Sequence, residues 1–163
     1  MAGRGGLLKV LVVAVGKVKG PLAPVVAEYE CRAARYWKLA VEEVESGARR
    51  GSRDPEAVMM AESGRLLSRV PDGLELIALT RGGKQMGSEE LSGYLQELGV
   101  RSSAGVAFLI GGAHGLAQDI LTKARRRLSL SAMTLPHEVA RLVLAEQLYR
   151  AGTIVRGEPY HKG

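Results

Sequence analysis

Three places in this chain combine residue types that can do chemistry. The C-terminal run Arg156-Gly157-Glu158-Pro159-Tyr160-His161-Lys162 gathers a phenol, an imidazole and two cations. Together these can stack on a base, give or take a proton and hold a phosphate, although the same composition also suits a frayed terminus. Upstream, Glu146 and Arg150 stand four residues apart, a spacing that lets them pair along a helix. They fall in the middle of the apolar stripe that Val139, Leu142 and Val143 define. The pair is either a structural ion pair holding an interface or a charged pair kept out of water beside a ligand. The third place is Gly111-Gly112-Ala113-His114-Gly115. It reads as a tight turn needing positive φ, or as a spot where missing side chains let a flat ligand approach backbone amides. It lacks the spacing of the dinucleotide fingerprint, and no Gly-Lys-Ser/Thr follows to make a P-loop.

His137-Glu138-Val139-Ala140-Arg141 starts like a zinc-protease helix, but Arg141 stands where the second histidine must be. With three histidines and the single Cys31, no metal site is expected, and neither is an internal disulfide. No apolar run approaches the roughly 18 residues of a membrane span, and Val10–Val15 is too short for a signal h-region. The expectation is a cytoplasmic protein with no membrane partner. The 163 residues, 46% hydrophobic and 25% charged, suit one ordinary globular domain and exclude disorder. The net charge of +6 is concentrated near the end. From Ile120 onward eight cations (Lys123, Arg125, Arg126, Arg127, Arg141, Arg150, Arg156 and Lys162) face three anions (Glu138, Glu146 and Glu158). Such a bias points to a polyanionic partner, or to nothing more than a solvated helix face.

The elements that must position these residues alternate. Val10–Val15 is a β-branched run typical of a strand buried on both faces. A helix follows from Pro21 to about Tyr36, then a strand over Leu39–Val44, a mobile basic loop over Ser46–Asp54, and a helix from the Asp54-Pro55 cap to about Val70. Leu74–Leu79 is the third strand, and Thr80–Gly87 is a glycine-bearing loop. A helix then runs from Ser88 to Leu98, a strand over Gly105–Ile110, and a helix from the glycine turn to about Arg127. Leu128–Thr134 reads as a fifth strand and Pro136–Ala151 as a long helix, with an irregular tail after it. Leu144, Leu148, Ala140 and Ala151 give that helix a second apolar face, so it must be buried on two sides, one against a second subunit. Five such pairs without a linker make one α/β domain over 1–163, with a mainly parallel sheet and helices on both faces; residues 1–6 are an extension. Ligands of such sheets bind beyond the C-terminal strand ends, here Leu79-Thr80, Ile110–Gly115 and Leu130–Pro136.

The run Leu128-Ser129-Leu130-Ser131-Ala132-Met133-Thr134-Leu135-Pro136-His137, with Arg141, Ala145-Glu146-Gln147-Leu148-Tyr149-Arg150-Ala151 and the closing Pro159-Tyr160-His161-Lys162, closely resembles the RlmH family. Val13–Lys17, Ser88–Leu91 and Phe108–Gly112 extend the resemblance over the whole chain. These are small methyltransferases of the SPOUT class that act on N3 of a pseudouridine in large-subunit (23S) ribosomal RNA. The resemblance implies a C-terminal trefoil knot, a homodimer and S-adenosyl-L-methionine as methyl donor. It assigns cofactor binding to Leu79, Gly111, Leu130, Ser131, Ala132, Met133, Thr134 and Leu135. Glu146, Arg150, Tyr160 and His161 take catalytic roles, and His137, Lys162 and Arg156 contact RNA, with one subunit's tail completing the other's cofactor pocket. His114 and Thr80 depart from the family, which commonly carries acidic residues at both places.

The expected activity is methylation of pseudouridine N3, in the helix 69 loop on the assembled ribosome. The alternatives are a methyltransferase of another RNA such as tRNA, and a ribosome-binding factor without catalysis.

Overall fold

The computed structural model describes residues 6–101 and 104–161, with the side chain of His161 left out; of the expected extension, residues 1–5 lie outside the described part. Ten elements alternate: β1 Lys9–Val15, α1 Leu22–Ala33, β2 Lys38–Val44, α2 Pro55–Ser68, β3 Glu75–Gln85, α3 Ser88–Val100, β4 Val106–Ile110, α4 Gln118–Lys123, β5 Arg126–Ser129 and α5 His137–Val155. Short 3-10 turns occupy Arg49–Gly51 and Pro159–His161. The five strands form one sheet in the order β2-β1-β4-β3-β5, and every pairing is parallel. The alternation of β1 explains the two cores. Val10, Val12 and Ala14 face the cluster closed by α1, α3 and α5, whereas Leu11, Val13 and Val15 face the one closed by α2 and α4. Both faces of the sheet are therefore covered, which is why the central strands read as unbroken apolar runs.

Four sequence expectations are corrected. The loop expected at Thr80–Gly87 is largely strand, because β3 runs on to Gln85. Both Leu79 and Lys84 pair with Leu128, so Thr80–Gly83 loops around one residue of β5. Gly83 permits this: a Cβ there would stand 2.6 Å from the Arg127 carbonyl carbon. The helix expected to reach Arg127 stops at Lys123, and Arg126 and Arg127 are strand residues. They belong to an edge strand whose first two side chains are exposed, so their charge gave no strand signal. The fifth strand ends at Ser129, leaving Leu130–Pro136 as a loop. Finally, α5 continues to Val155 and takes in residues expected in the tail. The Asp54 cap is as expected, its carboxylate accepting from the Ala57 N–H at 3.1 Å.

Candidate active site

β4, β3 and β5 are neighbours in the sheet, and Leu79 pairs with both Ile110 and Leu128. Their C-terminal ends therefore deliver Leu79, the turn Gly111–Gly115 and the loop Leu130–Leu135 to one edge of the molecule. The glycine turn is closed by a bond from the Gly115 N–H to the Gly112 carbonyl at 3.0 Å, with Gly115 at φ +78°. A Cβ on Gly111 would stand 2.9 Å from the Gly115 carbonyl, so close approach of backbone to backbone requires the glycine. From α2, Ser63 Oγ accepts the Ala117 N–H at 2.9 Å and pins the far side of the turn. The Leu130–Leu135 loop is held by its serines: Ser129 Oγ donates to the Ser131 carbonyl at 2.9 Å, and Ser131 Oγ accepts the Met133 N–H at 3.0 Å. Arg81 donates to Thr134 Oγ1 at 2.6 Å, tying the segment after Leu79 to this loop. Met133 is 77% exposed, so its side chain projects from the loop into open space.

His137 opens α5 at the same edge. Its Nε2 lies 3.2 Å from where a Cβ on Gly16 would be, and Gly16 ends β1 at φ +82°. This Nε2 and Glu62 Oε1 are the two buried side-chain polar atoms without a hydrogen-bond partner among the described residues. The Glu138 carboxylate stands 3.8 Å from His137 Nε2, too far for a hydrogen bond. Both orphans sit against glycines at the C-terminal ends of strands, since Glu62 Oε1 packs against Gly112, just beyond β4. Glu62 was missed by sequence reasoning. The signal was its place on the buried face of α2, with Ser63 and Leu66, where an unpaired carboxylate is costly.

The other cluster lies toward the far end of α5. Arg150 donates to Glu146 Oε1 through Nε at 3.0 Å and Nη2 at 2.7 Å. Tyr160 Oη donates to the same oxygen at 3.2 Å, and Gln147 donates to Oε2 at 2.7 Å. The hydrogen bond to Glu146 raises the Arg150 pKa above its ordinary value. Burial, together with the Glu146 charge, pushes the Tyr160 phenol up to about 12. Tyr149 is the centre of an aromatic group, its ring centroid 4.5 Å from that of Tyr160, 5.8 Å from Tyr36 and 6.4 Å from Tyr29. Arg156 lies over the Tyr36 ring at 4.6 Å. Lys162 lies outside the described residues.

The expected site residues therefore fall into two groups. Leu79, Gly111, Leu130–Leu135 and His137 share the sheet edge, whereas Glu146, Arg150, Tyr160 and Arg156 share the distal part of α5 and the tail. Nine to thirteen helical residues separate His137 from Glu146 and Arg150. At about 1.5 Å per residue that is roughly 14–20 Å. A cleft of about 270 Å³ runs between them along α5, lined by Leu128, Ser129, Leu130, Val143, Leu144 and Gln147 with the start of α3. The C-terminal basic excess is not one patch. Arg141 is taken up by Glu30 and Glu43, each at 2.7 Å, Arg150 by Glu146, and Arg126 lies over the Tyr94 ring. Among the described residues no group of three or more His, Cys, Asp or Glu could hold a metal ion, and no helix is long and apolar enough to cross a membrane.

Comparison with known proteins bears on this arrangement. Residues 8–161 match the family described as "Predicted SPOUT methyltransferase". Curated relatives named ribosomal RNA large subunit methyltransferase H are similar over nearly their whole length. The one from Gemmatimonas aurantiaca is 47% identical, covering 95% of this chain and 100% of its own. Those from Pelotomaculum thermopropionicum and Clostridium beijerinckii are 43% and 38% identical over 95% of this chain. A crystal structure of a probable methyltransferase from Bordetella pertussis shares the fold, with a TM-score of 0.50 at 20% identity over 88% of this chain and 96% of that one.

Proposed function

The chain belongs to the SPOUT methyltransferase family, and from that premise we propose that it transfers a methyl group from S-adenosylmethionine to N3 of a pseudouridine in large-subunit ribosomal RNA, in the helix 69 loop of the assembled ribosome. The observation that carries this is the end-to-end likeness to relatives named for ribosomal RNA methylation, none of whose length is missing in the Gemmatimonas case. The family also implies a trefoil knot.

The edge formed by Leu79, Gly111 and Leu130–Leu135 fits the cofactor. Its glycine turn brings backbone close to backbone at Gly111, and the orphaned His137 Nε2 and Glu62 Oε1 lie beside it. When bound, S-adenosylmethionine supplies a methyl group made electrophilic by its sulfonium, so no metal is needed. The chain's own residues must orient the base and manage the imide proton at N3. Glu146 is poorly suited to take that proton, since its Oε1 already accepts from Arg150 and Tyr160 and its Oε2 from Gln147. Its work is to hold the Arg150 guanidinium and the Tyr160 phenol side by side. Both are donors at neutral pH, and both can stabilise the negative charge that an imidate oxygen gathers when the proton leaves.

Roughly 14–20 Å of helix keeps His137 from meeting Glu146 and Arg150 within one chain. A homodimer packed through α5 resolves this, because an antiparallel copy brings the Glu146 group of one subunit toward the cofactor edge of the other. The half-buried Val139, Leu142 and Val143 give α5 an apolar face for that contact. The pairing of donors around Glu146 favours this enzyme over a binding factor without catalysis.

The test is incubation of the purified protein and cofactor with free rRNA, with ribosomes lacking the modification, and with tRNA, followed by mapping of N3-methylpseudouridine. Methylation of the helix 69 loop in ribosomes is expected. Methylation of tRNA alone would move the substrate, and cofactor binding without methylation of any of the three would leave a binding factor.

A further inference from the structure

The free positive charge of this molecule does not lie where the sequence concentrates it. Toward the C-terminus, Arg141 and Arg150 are held in ion pairs and Arg126 covers a ring. Residues 46–53, between β2 and α2, carry Arg49, Arg50 and Arg53 and no acid. The loop after β1 adds Lys17 and Lys19, again with no acid from Gly16 to Pro21. All five cations are exposed, and among the described residues none of them has an ion-pair partner. Glu45 and Asp54 flank the arginine run, but the Asp54 carboxylate is engaged in capping α2 through the Ala57 N–H. The sheet is parallel, with β2 beside β1 and β1 beside β4, so both loops continue the edge that the glycine turn occupies. Lys17 directly follows Gly16, the glycine that lies against His137.

The base of the arginine loop is anchored. Arg65 of α2 donates to the Glu45 and Gly47 carbonyls at 2.8 and 2.6 Å, and the Gly47 N–H donates to Glu62 Oε2 at 2.9 Å. Arg50 sits at φ +61°, the one non-glycine residue in the left-handed region among the described residues. Strain of this kind collects at binding and active sites. Beside the loop, a groove of about 640 Å³ runs along α2, with Arg49 and Ser52 on one side and Ala57, Ala61 and Gly64 on the other. A Cβ on Gly64 would meet nothing within 4 Å, so there is room for a ligand. Because α2 covers the sheet face opposite α5, a dimer packed through α5 leaves this surface free. Unpaired guanidinium and ammonium groups on an anchored edge are the chemistry that holds phosphodiesters. We propose that Arg49, Arg50 and Arg53, with Lys17 and Lys19, grip the phosphate backbone of the substrate RNA beyond the nucleotide that is methylated. From β5 to β2 the edge spans four strand spacings, roughly 19 Å, which accommodates several phosphates at about 3.4 Å of rise each. Such contacts position the RNA and do not read its sequence. The inference rests on RNA being the substrate.

Filter binding of the intact protein to ribosomes lacking the modification, from about 50 to 200 mM KCl, tests it. Arg49→Gln/Arg50→Gln/Arg53→Gln should weaken binding roughly tenfold at low salt and flatten the slope of log affinity against log salt by about 2, close to the loss of three single-strand phosphate contacts. Lys17→Gln/Lys19→Gln, in a different loop, should flatten it by about 1, and it carries the test if the arginine variant does not fold. Lys38→Gln/Lys123→Gln/Arg125→Gln removes as much charge as the arginine variant, from exposed positions near the N-terminal ends of β2 and β5. That control should stay within twofold of wild type with an unchanged slope. S-adenosylmethionine affinity within twofold of wild type reports an intact fold in each variant. Equal losses in the arginine variant and the control would mean that only net charge counts. An unchanged slope in the folded loop variants would mean that these loops touch no phosphate; either result overturns the proposal. If wild-type protein methylates ribosomes and the loop variants bind them normally, only this surface falls. If wild-type protein binds neither ribosomes nor free rRNA, the RNA reading falls and this surface with it.

Discussion

Tyr160 offers the plainest chemistry at the scale of a single residue. A phenol poised near pH 7 could serve as a base, but burial and the Glu146 carboxylate push this one up to about 12. Stabilising the protonated form in the folded protein makes that contribution fully present below the ordinary tyrosine range, near pH 10, and lost only as pH rises through about 12. Tyr160 is therefore a hydrogen-bond donor throughout the working range. Tyr160→Phe should lower turnover about a hundredfold to a thousandfold, in line with the loss of one donor to developing charge. Its pH–rate profile below pH 10 should keep the wild-type shape, because no ionisation is removed from that window. A wild-type alkaline limb that vanishes in the phenylalanine variant would assign Tyr160 the role of base instead. The residue types here were legible in the sequence, since Glu146, Arg150 and Tyr160 could be singled out by spacing and chemistry. Their joint geometry was not, because the 3-10 turn at Pro159–His161 that folds Tyr160 onto Tyr149 leaves no periodic pattern.

Among the elements, α5 shows how far periodicity reaches. Two apolar faces could be read from its sequence, but only the structure assigns them. Leu144, Leu148 and Ala151 pack into the sheet's own core, whereas Val139, Leu142 and Val143 stay half-buried. Leu148 is 1% exposed, and Trp37 donates to its carbonyl at 2.8 Å. Leu148→Ala should therefore cost about 2–5 kcal/mol of unfolding free energy, as for other buried leucines, measurable by denaturant titration. Leu142→Asp, on the other face, should keep the fold by circular dichroism and yield monomers in light scattering. A Leu142→Asp protein that remains dimeric would move the interface off α5. The opposite lesson comes from β3 and β5. A Gly82-Gly83 pair normally marks a loop, and Arg126-Arg127 normally marks a helix or coil. Here Gly83 lets one strand pass closely against another whose charged residues face solvent. That is a long-range crossing, and local sequence carries no record of it.

The whole molecule poses a question of distance. His137 opens α5 and the donor cluster begins at Glu146, midway along the same helix, so how the two cooperate decides what one chain can do alone. Along one α5, His137 stands roughly 14–20 Å from Glu146 and Arg150, more than a direct contact can span. Sharing across a dimer makes a specific prediction. Deleting Tyr160–Gly163 removes the phenol over Tyr149 and one donor to Glu146 but no residue of either core, so stability should change little. Cofactor affinity should fall modestly at most, since Leu79, Gly111 and Leu130–Leu135 remain. Methylation should nevertheless collapse. Gly111→Val should fail for the opposite reason, with an intact tail and a cofactor turn distorted by the clash of its side chain with the Gly115 carbonyl. In a mixture of the two, a heterodimer carries one site built from the truncated chain's intact turn and the Gly111→Val chain's intact tail. If sites are shared, activity should return, approaching half that of the wild type per heterodimer once exchange is verified by differential tagging. If each chain builds its own site, every site in that heterodimer has one defect and the mixture stays inactive. In that case the donor cluster would have to reach the cofactor edge within one chain, by a movement of the tail large enough to detach Tyr160 from Glu146.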